Sequence, residues 1–355
     1  MAWNQQEIET ALEKRLKKKF SGSLSEATKF FGYYTYARDI LLSEGIFDSI
    51  KSLKRDLSDH GQDHIMNVLY NAGKLLGKEL EKLDAIQVYF ICTIILFHDV
   101  GNLIAERETH HQQDTIREVY DYIRDKKREF DEERMLVPEV ASKHSGIAGD
   151  GSKDTINELS ITPPYMFNTE IYSRRCAALL RFADELAEGP HRTSLYMNKY
   201  YNYPYKNNSA IYHKYGEITK VNIDRKGERI CLTYNFSIPA KDGSITEESH
   251  KDFIELYSFV IKRMLKVEAE RKYCKYYCDW LAPFKKTHVT FNYIIEDEVQ
   301  GRLKSKRINL DKSVLLLDDL VLPSDVKPEM FFTNKKEYEP ETVFSLIKVA
   351  LNEKE

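Results

Sequence analysis

Glycine and proline are scarce in this chain, at 15 and 10 residues of 355. A turn-rich all-β fold uses both at its reversals, so their scarcity favours long helices. A surplus of one charge is also missing: Lys and Arg total 53, Asp and Glu 56, for a net charge of -3. That balance weighs against a dedicated nucleic-acid coat and leaves room for a local basic cleft. The five cysteines, Cys92, Cys176, Cys231, Cys274 and Cys278, lack the regular spacing of a disulfide framework. A reduced, cytoplasmic setting is therefore expected. Cys274 and Cys278 share a helix face, but a structural zinc there needs two more ligands that the neighbouring sequence does not offer. The opening stretch, MAWNQQEIETALEKRLKKKF, has no apolar segment, and no secretory leader is expected. The most apolar run, VYFICTIILF from Val88 to Phe97, is short of the roughly 20 residues that a bilayer crossing takes. It reads as a buried central helix, and no membrane association is expected.

What is present fits one large core plus a smaller module. Residues 1–50 read as a helical wrap, partly aromatic at FFGYYTYARDILL. Residues 51–200 read as an all-helical domain. Helices are expected from His60 to Leu76, Asp84 to His98, His111 to Phe130 and Glu170 to Ala187, with Gly149-Asp150-Gly151 and Pro163-Pro164 as punctuation. The mixed-charge run RDKKREFDEERM reads as a solvated helix end. Residues 201–355 change character. ITKVNID and RICLTYNF around RKGE predict a β-hairpin, a long helix follows from Glu247 to Trp280, and HVTFNYII is a further strand. VLLLDDLVL and a last helix near Thr342–Asn352 close the chain. The expected fold is mainly α, with a smaller C-terminal α+β module that could serve as an oligomer interface, an effector-binding unit or a cap. The 23 tyrosines read mostly as amphipathic packing.

Histidines and aspartates near helix ends carry the chemistry. Six of the ten histidines lie between residues 60 and 144. They are His60 and His64 (DHGQDH), His98 (FHDVGN), His110, His111 and His144 (KHSG). Asp99 follows His98 directly, and Asp184 lies in RFADEL. Imidazole and carboxylate together bind borderline divalent metals. Such a metal lowers the pKa of its water, and a second metal within about 4 Å stabilises charge developing on phosphate. At about 100° per residue, His64 falls at the edge of its helix's apolar stripe and His60 further toward solvent. Asp184 lies just off the stripe of its own helix, and Glu185, near the opposite edge, reads as a surface carboxylate or one that supports the ligands from behind. His110 and His111 are adjacent, so both are not expected to point into one site.

The order His64, His98-Asp99, Asp184 resembles the HD superfamily of metal-dependent phosphohydrolases. HIMNVLYNAGKL resembles its first-ligand helix, ILFHDVGN its HD dyad at the end of a buried helix, and RFADEL after CAALL its last-ligand helix. The likeness spans residues 55–195, about 40% of the chain. It implies four metal ligands: His64, His98, Asp99 and Asp184. His144 and either His110 or His111 resemble the extra histidines of two-metal members. The implied cofactor is one or two divalent ions, from among Mn, Fe, Ni, Co, Zn and Mg. Asp99 is expected to be catalytic as well. His60 is expected at the rim, as a hydrogen-bonding residue or as a proton donor to the leaving group. Lys143, Arg107, Arg181 and Arg192 flank these segments and are candidate phosphate contacts.

The implied substrate is a nucleotide, with triphosphate hydrolysis and cyclic-nucleotide cleavage both open. No GYP signature follows the dyad, which lowers the cyclic-dinucleotide reading. A single-strand nuclease is less favoured by the net charge. A non-catalytic HD module that binds a nucleotide and regulates is the competing class, and a homo-oligomer is compatible with either.

Overall fold

The computed structural model describes residues 3–53, 60–105, 112–124, 127–193, 209–299, 302–317 and 328–352. They are mainly helical, with a smaller mixed sheet toward the C-terminus, and they divide into two units. Among the described residues the first unit runs through Ala187 and includes Glu270–Pro283; the second holds the rest.

The first unit is built on the apolar run. Helix α5 (Ala85–Phe97) is buried at every position, and the Asp84 carboxylate caps it by accepting from the Ile86 N–H at 2.8 Å. The apolar stretch continues to Leu103, long enough by composition to cross a membrane, but 94% of it is buried inside the protein. Burial, rather than length, marks it as a core helix. Packed on it are α1 (Glu7–Lys19), α2 (Leu24–Ser43), α4 (Gln62–Leu76), α7 (Asp131–Ser142) and α8 (Ser173–Glu185). Helices α3 (Ile46–Leu53) and α6 (Gln113–Arg124) complete the set. Helix α4 shows why an amphipathic stripe folds inward: Ile65, Val68, Leu69, Ala72, Leu75 and Leu76 are buried, while Tyr70 is exposed. It ends at Gly77, whose φ of 47° lies in the left-handed region. The departure from an all-helical unit is a two-residue ladder, β1 (Tyr165–Met166) with β2 (Thr169–Glu170).

Helix α7 contains part of the run that reads as solvated in sequence. Glu133 within it is fully buried. Its carboxylate accepts from Tyr89 at 2.6 Å, Tyr120 at 2.9 Å and Arg124 at 2.9 Å. Three donors compensate for the desolvation that would otherwise exclude this charge from the core.

In the second unit, β3 (Thr219–Asp224) and β4 (Arg229–Lys241) form the expected antiparallel hairpin. Helix α9 (Ser209–Ile218) precedes it, and β5 (Ser244–Ile245) pairs with the end of β4. Helix α10 (Glu247–Tyr277), which belongs to this unit as far as Ala269, then carries the chain to β6 (Lys286–Val299), which lies parallel to β4. A parallel return needs such a crossover. Strands β7 (Arg302–Ile308) and β8 (Ser313–Leu317) both pair antiparallel with β6. Alternate residues of β4 and β6 face inward: Leu232, Tyr234, Phe236 and Ile238 with Val289, Phe291, Tyr293 and Ile295. Phe253 and Tyr257 of α10 meet them through ring contacts. Two short helices, α11 (Pro328–Asn334) and α12 (Pro340–Asn352), follow the sheet.

Candidate metal centre

Four elements of the first unit deliver polar side chains to one place. His64 is in the first turn of α4. His98 follows the last residue of α5, and Asp99 leaves the helix with φ -107° and ψ 2°. That bend lets two adjacent side chains turn inward together. His144 follows α7, and Asp184 lies in the last turn of α8. His64 and His98 are fully buried, and Asp99 and His144 nearly so.

The His64 Nε2 atom lies 3.1 Å from Asp184 Oδ1 and 3.4 Å from Asp99 Oδ2. His98 Nε2 lies 3.3 Å from Asp99 Oδ2 and 3.9 Å from Asp184 Oδ1. His144 Nε2 is 3.8 Å from Asp99 Oδ1. His60 reaches the same carboxylate from the rim: its Nδ1 is 2.7 Å from Asp99 Oδ2, and 22% of its side chain is exposed. Asp99 is thus approached by four imidazoles.

Two of the rings are oriented from behind. His98 Nδ1 donates to the Ile95 carbonyl at 2.8 Å, and His144 Nδ1 to the Ala141 carbonyl at 2.6 Å. Each leaves Nε2 facing the cluster, the arrangement in which histidines serve as metal ligands. The cluster resolves into three ligand groups: His60, His64 and Asp99; His64, His98 and Asp184; His98, Asp99 and His144. Within each group the donor atoms lie within 4.8 Å of one another.

A direct test of metal fit is what these atoms otherwise bond to. His64 Nε2 and His98 Nε2 are buried and have no hydrogen-bond partner among the described residues, despite the nearby carboxylates. Leaving such atoms unpaired is costly. A divalent cation taking nitrogen and carboxylate ligands would satisfy them, so the residues fit the group.

Within the cluster the charges act on one another. Burial disfavours the Asp184 and Asp99 carboxylates, yet the neighbouring histidines outweigh it and hold both well below the usual carboxylate range. Burial lowers His98, but Asp99 and Asp184 outweigh it and push the ring up to about 9. Burial and the charge on His98 bring His144 down to about 4.

Arg107, His110 and His111 lie outside the described residues. Lys143 Nζ is 2.7 Å from Glu158 Oε2. Arg192 belongs to the second unit, where it is buried with Nη1 3.6 Å from Glu188 Oε1. Arg181, expected as a phosphate contact, is buried and paired with a carboxylate. Its Nε and Nη2 donate to Glu270 at 2.7 and 2.9 Å, and its Nη1 donates to Thr155 at 3.0 Å. Glu185 is buried, which leaves the reading of a carboxylate behind the ligands and not the surface one. Sequence reasoning overlooked Asn71, whose Nδ2 donates to the Ala183 carbonyl at 3.0 Å and joins α4 to α8 beside Asp184. Its signal was its place two turns after His64, on the inward side of α4.

Compared with known proteins, no curated protein and no solved structure matches the chain. The HD-CE family model matches residues 54–255, more than half of the chain and a span that contains the whole cluster. The chain belongs to the HD-CE family.

Proposed function

We propose that the protein is a metal-dependent phosphohydrolase that cleaves a phosphoester or phosphoanhydride bond, most naturally in a nucleotide. The observation that carries this reading is the position of Asp99. One carboxylate stands among His60, His64, His98 and His144, with both of its oxygens engaged toward imidazoles. His64, His98, Asp99 and Asp184 would hold a divalent ion, and Asp99 with His144 would extend the set toward a second. When bound, such ions supply an activated water and positive charge facing phosphate oxygens.

The residues divide the remaining work. Asp99 presents Oδ2 to His64 and His98 and Oδ1 to His144, so one carboxylate would contribute to both ligand groups. His98 and His144 hold fixed orientations through their Nδ1 hydrogen bonds. His60 is the most solvent-accessible imidazole on Asp99, so it is placed to hold a proton at the cluster's edge and pass it to a leaving oxygen. The nucleotide assignment rests on the likeness of the motif contexts to HD phosphohydrolases.

The test is a hydrolysis screen of nucleoside mono-, di- and triphosphates and cyclic nucleotides with Mn²⁺, Mg²⁺, Co²⁺ or Ni²⁺. Metal-dependent turnover of at least one phosphate compound is expected. Nucleotide binding without turnover under every metal would favour the regulatory reading instead.

A further inference from the structure

His144 and Asp184 come from separate elements, and a buried chain of hydrogen bonds joins them. Arg181 lies on α8 one turn before Asp184. Glu270 grips its guanidinium from one side at 2.7 and 2.9 Å, and the Tyr273 ring lies 4.6 Å away. The remaining terminal nitrogen, Nη1, donates to Thr155 Oγ1 at 3.0 Å and approaches the Lys153 carbonyl at 3.3 Å. Thr155 Oγ1 in turn donates to the Lys143 carbonyl at 2.7 Å. That carbonyl belongs to the peptide unit leading into His144. One hydroxyl, 3% exposed as a residue, therefore accepts from the α8 arginine and donates to the His144 turn. The Lys143 ammonium is tied to the same short segment through Glu158.

We infer that Thr155 is a positioning residue for His144, with Arg181 and Glu270 as its anchor. This rests on the metal-centre reading. The hydroxyl fixes the backbone entering His144, and Ala141 fixes the ring, so Nε2 points at Asp99. Valine has nearly the shape of threonine but can neither accept nor donate. Without the hydroxyl, the Lys143 carbonyl loses its tie to α8, and the His144 turn is held only from within its own helix end, by the bonds to Val140 and Ala141.

Cobalt titration of the full chain tests this, followed by visible absorption and by calorimetry. Thr155→Val is expected to weaken cobalt binding roughly 10- to 100-fold at the group containing His144. Thr155→Ser keeps the hydroxyl and should restore affinity to within about threefold of the parent. In a His144→Ala background, Thr155→Val should add nothing, because the residue it positions is gone. A general structural role predicts the opposite, with the same loss in both backgrounds. Should Thr155→Val melt below the assay temperature, Thr155→Ala removes the same hydroxyl and should weaken cobalt binding in the same direction. Parental cobalt affinity in Thr155→Val, or in Thr155→Ala if that variant is used, overturns the inference alone. A parent protein that takes up no cobalt overturns the metal-centre reading, and this inference with it.

Discussion

His64 Nε2 and Asp184 Oδ1 stand 3.1 Å apart, although 120 positions separate the two residues. Helices α4 and α8 bring them together, and Asn71 pins the contact by bonding the carbonyl just before Asp184. If the pair shares an ion, His64→Ala and Asp184→Ala should each abolish tight metal binding. Turnover should fall by at least about 100-fold, since a ligand set works as a unit. Elemental analysis of each purified variant checks this. Retention of the full metal complement in either variant would place that residue outside the ligand set.

His60 should behave differently. Its side chain is partly exposed and bonds Asp99 from the rim. His60→Ala is expected to keep its metal and lose roughly 10²- to 10⁴-fold in turnover, the usual range for a lost acid-base group. Metal loss as complete as that of His64→Ala would make it a ligand instead.

The Arg181–Glu270 pair is almost wholly buried. Removing one partner strands a charge in the core, so Arg181→Ala should destabilise the protein by about 3–5 kcal/mol. Replacing both residues, as Arg181→Met with Glu270→Leu, should recover much of that loss. Urea unfolding measures both. A neutral Arg181→Ala would mean that the cation is not needed where it sits.

Glu188 gives the second unit an acid-sensitive contribution. Burial would raise its carboxyl, but Arg192, Arg263 and the Tyr212 hydroxyl outweigh it and hold it below its ordinary value of 4.5. A depressed carboxylate stabilises the folded state fully above its unfolded pKa and loses that contribution as pH falls through the folded one. The melting-temperature advantage of the parent over Glu188→Gln should therefore be constant near neutrality and shrink below about pH 4.5. An advantage that grows on acidification would reverse the sign of this account.

Much of the architecture was legible in the sequence because periodicity reports which face is buried. Helix α4, the β3–β4 hairpin and α10 declare themselves that way, and α5 does so by an unbroken apolar run. Pattern does not report which partner a face meets. The parallel pairing of β4 with β6 was therefore not readable, and neither was the burial of Glu133, whose donors come from two other helices. The histidines and aspartates were legible as a group, because each sits in its own local context at a helix end or edge. The pairing of Arg181 was hidden for the reverse reason. A cation beside a motif invites a phosphate, whereas its partner, Glu270, lies 89 positions further on. Helix α7 was hidden by the charged residues of its first turn.

The central claim is that Asp99 anchors a divalent metal centre. Elemental analysis of protein prepared without chelators, parent beside Asp99→Ala, tests it most directly, with circular dichroism confirming that both are folded. The account predicts one to two equivalents of a divalent metal in the parent, and a folded Asp99→Ala protein that has lost metal and hydrolysis together. A parent that holds no divalent metal even after incubation with Mn²⁺, Co²⁺ or Ni²⁺, or a folded Asp99→Ala protein with parental metal content and turnover, would contradict it.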